Sequence, residues 1–166
     1  MPVSSKAIAN FFLRRAKAAG ESVTPMKLQK LVYYANGWYM GYTNEPLIDE
    51  PIEAWQFGPV IPSLYHAFKQ FGARAITVEA QDFNPATQSF EVVAPPSDPA
   101  LLQFLENIWR SYGQYTGIRL SEMTHAPGGP WEETWREAAG MRGVDIPQGR
   151  IADHFREAVR NTAQQD

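Results

Sequence analysis

The stretch TPMKLQKLVYYANGWYMGY, residues 24–42, decides how this chain folds. Thr24 is a residue type that caps the free N–H groups of a helix start, and Pro25 gives up no donor at a first helical position. Leu28, Leu31, Val32, Ala35, Tyr39 and Tyr42 then keep a helical period. Tyr34 and Trp38 widen the apolar arc beyond one face. The spacing predicts a central helix that neighbours touch from more than one side.

On the N-terminal side, Ser4 and Ser5 are helix-start residues. Ile8, Phe11, Phe12 and Ala16 form a stripe that Gly20 ends. On the C-terminal side, prolines at 46, 51, 59 and 62 forbid a long helix. Ile52 to Phe57 suits a short extended piece, Gly58-Pro59 a turn, and Leu64, Tyr65, Phe68 and Phe71 a further helix. Residues 75–94 predict a β-hairpin: Ile76 and Val78 alternate with polar residues, Asn84 to Thr87 reads as the turn, and Phe90, Val92 and Val93 make the second run. Asp98-Pro99 starts a helix whose stripe runs from Leu101 to Tyr112. Leu120 to Ala126, with Ser121 as its cap, and Trp131 to Ala139 predict two short helices. Gly140 to Gln148 reads as irregular, and Gly149 to Thr162 as the last helix. The fold class is therefore α+β and mainly helical, with six or seven helices around a central one and a small antiparallel hairpin or sheet. With 166 residues and no linker or repeat, residues 1–166 read as a single domain.

Composition narrows the function. There is no cysteine, which removes disulfides, thiolate metal sites and cysteine nucleophiles. A net charge of −3 does not suit a polycation built for phosphate backbones. No apolar run reaches the roughly 20 residues of a membrane span, and no leader pattern opens the chain, so a cytoplasmic protein without membrane contact is expected. The charge is uneven. Residues 1–30 carry six Lys/Arg (Lys6, Arg14, Arg15, Lys17, Lys27, Lys30) against Glu21, whereas residues 79–137 carry nine Asp/Glu against three Arg.

No catalytic constellation assembles. Glu122 and His125 have the spacing of a metal-binding pair, but no second pair exists. Ser121 and His125 could touch as nucleophile and base, but no nucleophile elbow surrounds Ser121. The plainer expectation for His125 is a hydrogen bond to the backbone of the Pro127–Pro130 loop. Neither enzyme activity, a metal nor a cofactor is expected. DNA binding through the basic first helix is disfavoured, because the second helix has aromatics where a reading helix needs polar residues. What stands out is 5 Trp, 7 Tyr and 9 Phe. Tyr and Trp join apolar area to a polar tip, which suits partner surfaces.

Three segments in order carry a resemblance: Lys27-Leu28-Gln29-Lys30-Leu31-Val32-Tyr33-Tyr34, then Glu53-Ala54-Trp55-Gln56-Phe57-Gly58-Pro59-Val60, then Thr124-His125 with Pro130-Trp131. Across residues 4–160 the chain is similar to the Panacea-domain family, the SocA-like antitoxins also described as phage-associated proteins. The linker Ala126-Pro127-Gly128-Gly129 departs from the pattern by being apolar and glycine-rich. The resemblance implies a mostly helical domain with a small sheet. It also implies an antitoxin of a bacterial or phage toxin–antitoxin system that neutralises a toxin encoded by the adjacent gene through direct binding. Alternatives are an adaptor that delivers the toxin to an ATP-dependent protease, or an autoregulator that binds its operon. A protease or chaperone would then be a further partner. Arg14, Arg15, Lys27, Lys30, Tyr34, Trp38, Trp55 and Tyr65 are the toxin-binding candidates. Gly58, Pro59, His125, Pro130 and Trp131 are expected to set the shape of the domain.

Overall fold

The computed structural model describes residues 2–164. The central helix is present as α2, Pro25–Thr43, with the Thr24 hydroxyl accepting from Lys27 N–H at 3.3 Å. It follows α1, Ser5–Ala18, which is capped by Ser4. The remaining helices are α3 (Pro62–Phe68), α4 (Pro99–Tyr112), α5 (Gly117–Thr124), α6 (Pro130–Ala138) and α7 (Gln148–Gln164). Five short strands complete the described residues: β1 (Glu53–Trp55), β2 (Gly58–Val60), β3 (Gln81–Asn84), β4 (Ser89–Val92) and β5 (Val144–Asp145). β1 lies between β2 and β5 in one antiparallel sheet, and β3 pairs with β4 in another. The chain is α+β and mainly helical.

α2 is buried without interruption from Lys27 to Gly37. An all-round buried helix must satisfy its own polar side chains. It does so by pinning loops. Lys27 Nζ donates to Gly113 O at 2.5 Å, where the carbonyl end of α4 favours a cation. Gln29 exchanges two bonds with the backbone of Ile61, and Lys30 Nζ donates to Pro59 O at 3.0 Å. Asn36 Oδ1 accepts from Leu47 N–H at 3.0 Å and Ile48 N–H at 3.2 Å. Asn36→Ala would leave both amides buried and unpaired, so we expect it to lower the unfolding free energy by about 2 kcal/mol in urea titrations.

Most of the aromatics on α2 belong to the core. Tyr34 stacks on Tyr112 with centroids 4.2 Å apart, and Trp38 Nε1 donates to Tyr112 Oη at 2.6 Å. Phe155 from α7 meets Tyr33, Tyr34 and Trp38 edge-on.

Several expectations are corrected. The extended piece and turn at 52–59 form a hairpin in which Gly58-Pro59 opens β2, so the reversal falls on Gln56-Phe57. The second hairpin turns where expected, but its first strand is Gln81–Asn84. Ile76 and Val78 lie outside it, because Ile76 N–H donates to Val23 O at 2.8 Å in the loop ahead of α2. α5 begins at Gly117 with Thr116 as its cap, so Ser121 is inside the helix. The irregular 140–148 segment supplies β5.

The uneven charge resolves within the molecule. Lys6 pairs with Asp82 at 2.5 Å, Arg14 with Glu79 at 2.5 Å and Arg15 with Glu106 at 2.7 Å. Three of the six basic residues in the N-terminal region are thus partnered by the acidic middle. Exposed pairs of this kind contribute only about 0.2–1 kcal/mol each, so they orient the surface more than they stabilise it.

Candidate functional site

The segments that carried the resemblance are far apart in sequence and converge on the β1–β2 hairpin. Its two strands pair Trp55 with Gly58, leaving Gln56 and Phe57 at the tip. Gly58 has φ 116°, a conformation that side-chain-bearing residues rarely adopt. A Cβ there would also stand 2.7 Å from Thr124 Oγ1 and 2.9 Å from Lys30 Cε. The glycine is required both by the turn and by the close approach of α2 and α5.

Side chains from three helices hold the hairpin's backbone. Trp131 Nε1, on α6, donates to Trp55 O at 2.7 Å. Ser121 Oγ, on α5, donates to Phe57 O at 2.5 Å. Lys30 holds Pro59 O and Gln29 holds Ile61, both from α2. His125 stacks on Trp131 with centroids 3.9 Å apart and planes within 9°, and Trp131 stacks in turn on Trp135. The backbone is tied down while the side chain at the tip is not: Phe57 is 57% exposed.

Beside the tip lies a groove of about 420 Å3 between α2, the hairpin and α3. Met26, Trp55, Phe57, Val60, Leu64 and Tyr65 supply its apolar wall, with Lys30 and Lys69 as its charged residues among those described. Trp55 and Tyr65 meet edge-on with centroids 4.7 Å apart, and Trp55 Nε1 donates to Glu53 Oε1 at 2.8 Å. Tyr65 is 42% exposed.

Of the eight residues expected to contact a toxin, the structure brings Lys30, Trp55 and Tyr65 to this groove. Lys27, Lys30 and Tyr34 are buried, which corrects their placement on an open surface. Their long side chains reach inward because α2 has no solvent face there. Lys27 also lies over the Trp109 ring at 5.4 Å. Trp38 is half-buried against Tyr112 and Phe155. Arg14 and Arg15 lie on α1, paired with acids, and line no part of the groove. Gly58 and Pro59 open β2, Pro130 and Trp131 start α6, and His125 ends α5, stacked on Trp131. Phe57 was not singled out from the sequence. The available signal was an aromatic residue directly before Gly-Pro, between two short extended runs.

Electrostatics at the hairpin are unusual. Lys30 is 2% exposed, forms no ion pair among the described residues, and has its pKa lowered to about 7 by burial. Between pH 7 and 10 the unfolded chain holds a proton at this residue that the folded protein has released. Stability therefore rises with pH across that window. We expect Lys30→Met to remove that slope, which is at most about 1.4 kcal/mol per pH unit. Urea midpoints of both proteins at pH 7 and pH 9 check it. Lys27, whose pKa burial also lowers, is common to both and cancels.

Burial and the nearby Lys30 ammonium push His125 below the ordinary histidine value, while the Phe57 carbonyl pulls it back up. Its Nε2 is buried without a hydrogen-bond partner, so the expected bond to the 127–130 backbone is not made from that atom. The Ser121 proton is committed to Phe57 O rather than directed at His125. Among the described residues, no three His, Asp or Glu side chains are grouped to hold a metal ion, and no helix is long and apolar enough to cross a membrane.

Comparison with known proteins matches these same segments. The family model described as "Antitoxin SocA-like, Panacea domain" matches residues 28–132, a span that holds nearly all of α2, the hairpin, α5 and the start of α6. Antitoxin SocA of Caulobacter vibrioides (strain NA1000 / CB15N) is 32% identical over 130 residues, covering 78% of this chain and 69% of that protein. No solved structure matches. The matched span contains the motifs that build the pinned hairpin, and the chain belongs to the SocA-like antitoxin family defined by the Panacea domain.

Proposed function

We propose that this protein neutralises a cognate toxin by direct binding, with the hairpin tip and its groove as the docking surface. One observation carries the reading: five backbone groups from Trp55 to Ile61 are fixed from three helices, while Phe57 at the tip stays in water. Fixing a backbone costs conformational entropy, and an exposed aromatic contributes little to the fold. The same arrangement lowers the entropic cost of docking, because the anchor is already in place. Trp55 and Tyr65 enlarge the aromatic surface around it. Residues 1–166 act as one binding unit in the cytoplasm, and the toxin is the product of the neighbouring gene. Operon binding through α1 is less favoured, since Lys6, Arg14 and Arg15 already face carboxylates.

Co-expression with the neighbouring open reading frame tests the proposal. Growth should resume, and the two proteins should co-elute from a sizing column. Continued arrest with both proteins present would sink it, as would rescue in which no complex forms.

A further inference from the structure

The groove beside the hairpin also indicates the chemistry of what enters it. Its wall is apolar, and neither of its charged residues is negative. Lys69, exposed just after α3, is in no ion pair among the described residues. Lys30 uses one of its three donors, on Pro59 O, and is enclosed without a counter-charge. The hairpin's own carboxylate, Glu53, holds the Trp55 indole and does not line the groove. A buried ammonium without an anion is a standing electrostatic cost, which an incoming negative charge would offset. Burial is what lowers the Lys30 pKa, and no carboxylate stands near enough to raise it again. Lys6, Arg14 and Arg15, by contrast, each have a carboxylate from a distant part of the chain, whereas Lys17, Arg74, Arg142 and Arg160 share with Lys69 the lack of an ion pair among the described residues but lie outside this groove.

We infer that the groove between α2, the β1–β2 hairpin and α3 takes an apolar segment of the partner protein that carries a carboxylate, with Phe57, Trp55 and Tyr65 receiving the apolar side chains and Lys30 and Lys69 the negative charge. This rests on the docking role proposed above and specifies the partner's chemistry. A carboxylate in a groove whose charged side chains are both lysines gains more than an amide of the same shape. A cationic segment is repelled.

Short blocked peptides are the probe: acetyl-Leu-Glu-Phe-amide, its Gln analogue and its Lys analogue. Each is titrated at millimolar concentration into the isotope-labelled full chain, and amide shifts are followed by NMR. The Glu peptide should shift Gln56, Phe57 and Val60 and bind at least fivefold tighter than the Gln peptide, with the Lys peptide weakest. Lys69→Gln, an exposed change, should cut the Glu/Gln ratio at least twofold, and Lys30→Met should reduce it further. Equal affinity of the Glu and Gln peptides overturns the inference. So does preference for the Lys peptide, absence of saturable shifts at the hairpin, or an unchanged ratio in the Lys69→Gln protein. These results leave the docking role to its own test, the neutralising activity of Phe57→Ala: full neutralisation by that variant overturns the docking role itself.

Discussion

Phe155→Ala is expected to lower the unfolding free energy by about 3–5 kcal/mol, the largest effect of any single truncation considered. Phe155 is 2% exposed and lies where α7 crosses α2, the most extensive helix contact in the molecule. The crossing is close because α2 presents Gly37 and Gly41 one turn apart. A Cβ on Gly37 would collide with the Phe155 ring, and one on Gly41 would stand 2.7 Å from the Phe155 carbonyl oxygen. The ring thus fills a recess made by missing side chains. It also touches Tyr33, Tyr34 and Trp38 edge-on, so its loss opens a cavity in the aromatic centre. A rigid helix pair cannot collapse to fill that space, which places the cost toward the upper part of the range. Gly41→Ala should also destabilise, despite alanine's better helix propensity, because the neighbour it meets is backbone. Thermal and urea unfolding measure both. A Phe155→Ala loss under 1 kcal/mol would show that α7 is not part of the core.

The elements that the sequence announces are those with local chemistry. Ser4, Thr24-Pro25 and Asp98-Pro99 each start a helix where they stand, since a cap acts within one turn. Asn84 to Thr87 turns the second hairpin for the same reason. What the sequence hides depends on tertiary contact. Strands β1, β2 and β5 are too short for a period, and β5 becomes a strand only because Glu53 and Ala54 are there to pair with. Lys27 and Lys30 read as part of a basic surface because helix position alone does not say which residues a later loop will cover. The aromatic surplus divides along the same line. Tyr34 and Trp38 pack between helices, whereas Phe57 at a turn has nothing above it, and turns carry no periodic signal of exposure. The segments that carry the resemblance are legible in order. Their convergence on one hairpin, through Trp131, Ser121, Lys30 and Gln29, is visible only in three dimensions.

Phe57→Ala carries the second large expectation, and it concerns binding alone. The side chain is 57% exposed and leaves no cavity when truncated, so the melting temperature should stay within a few degrees. The backbone around it is held by bonds from Trp131, Ser121 and Lys30 that do not involve its ring. An aromatic anchor on a fixed backbone at the centre of a contact typically accounts for about 2 kcal/mol or more of binding, roughly thirtyfold in Kd. Tyr65→Ala, at the edge of the same surface, should cost less. The decisive measurement is a calorimetric titration of the neighbouring gene's product with the wild-type protein and with Phe57→Ala at equal fold stability. Docking through the pinned hairpin predicts at least thirtyfold weaker binding by the variant. An unchanged Kd in a folded Phe57→Ala protein would contradict it.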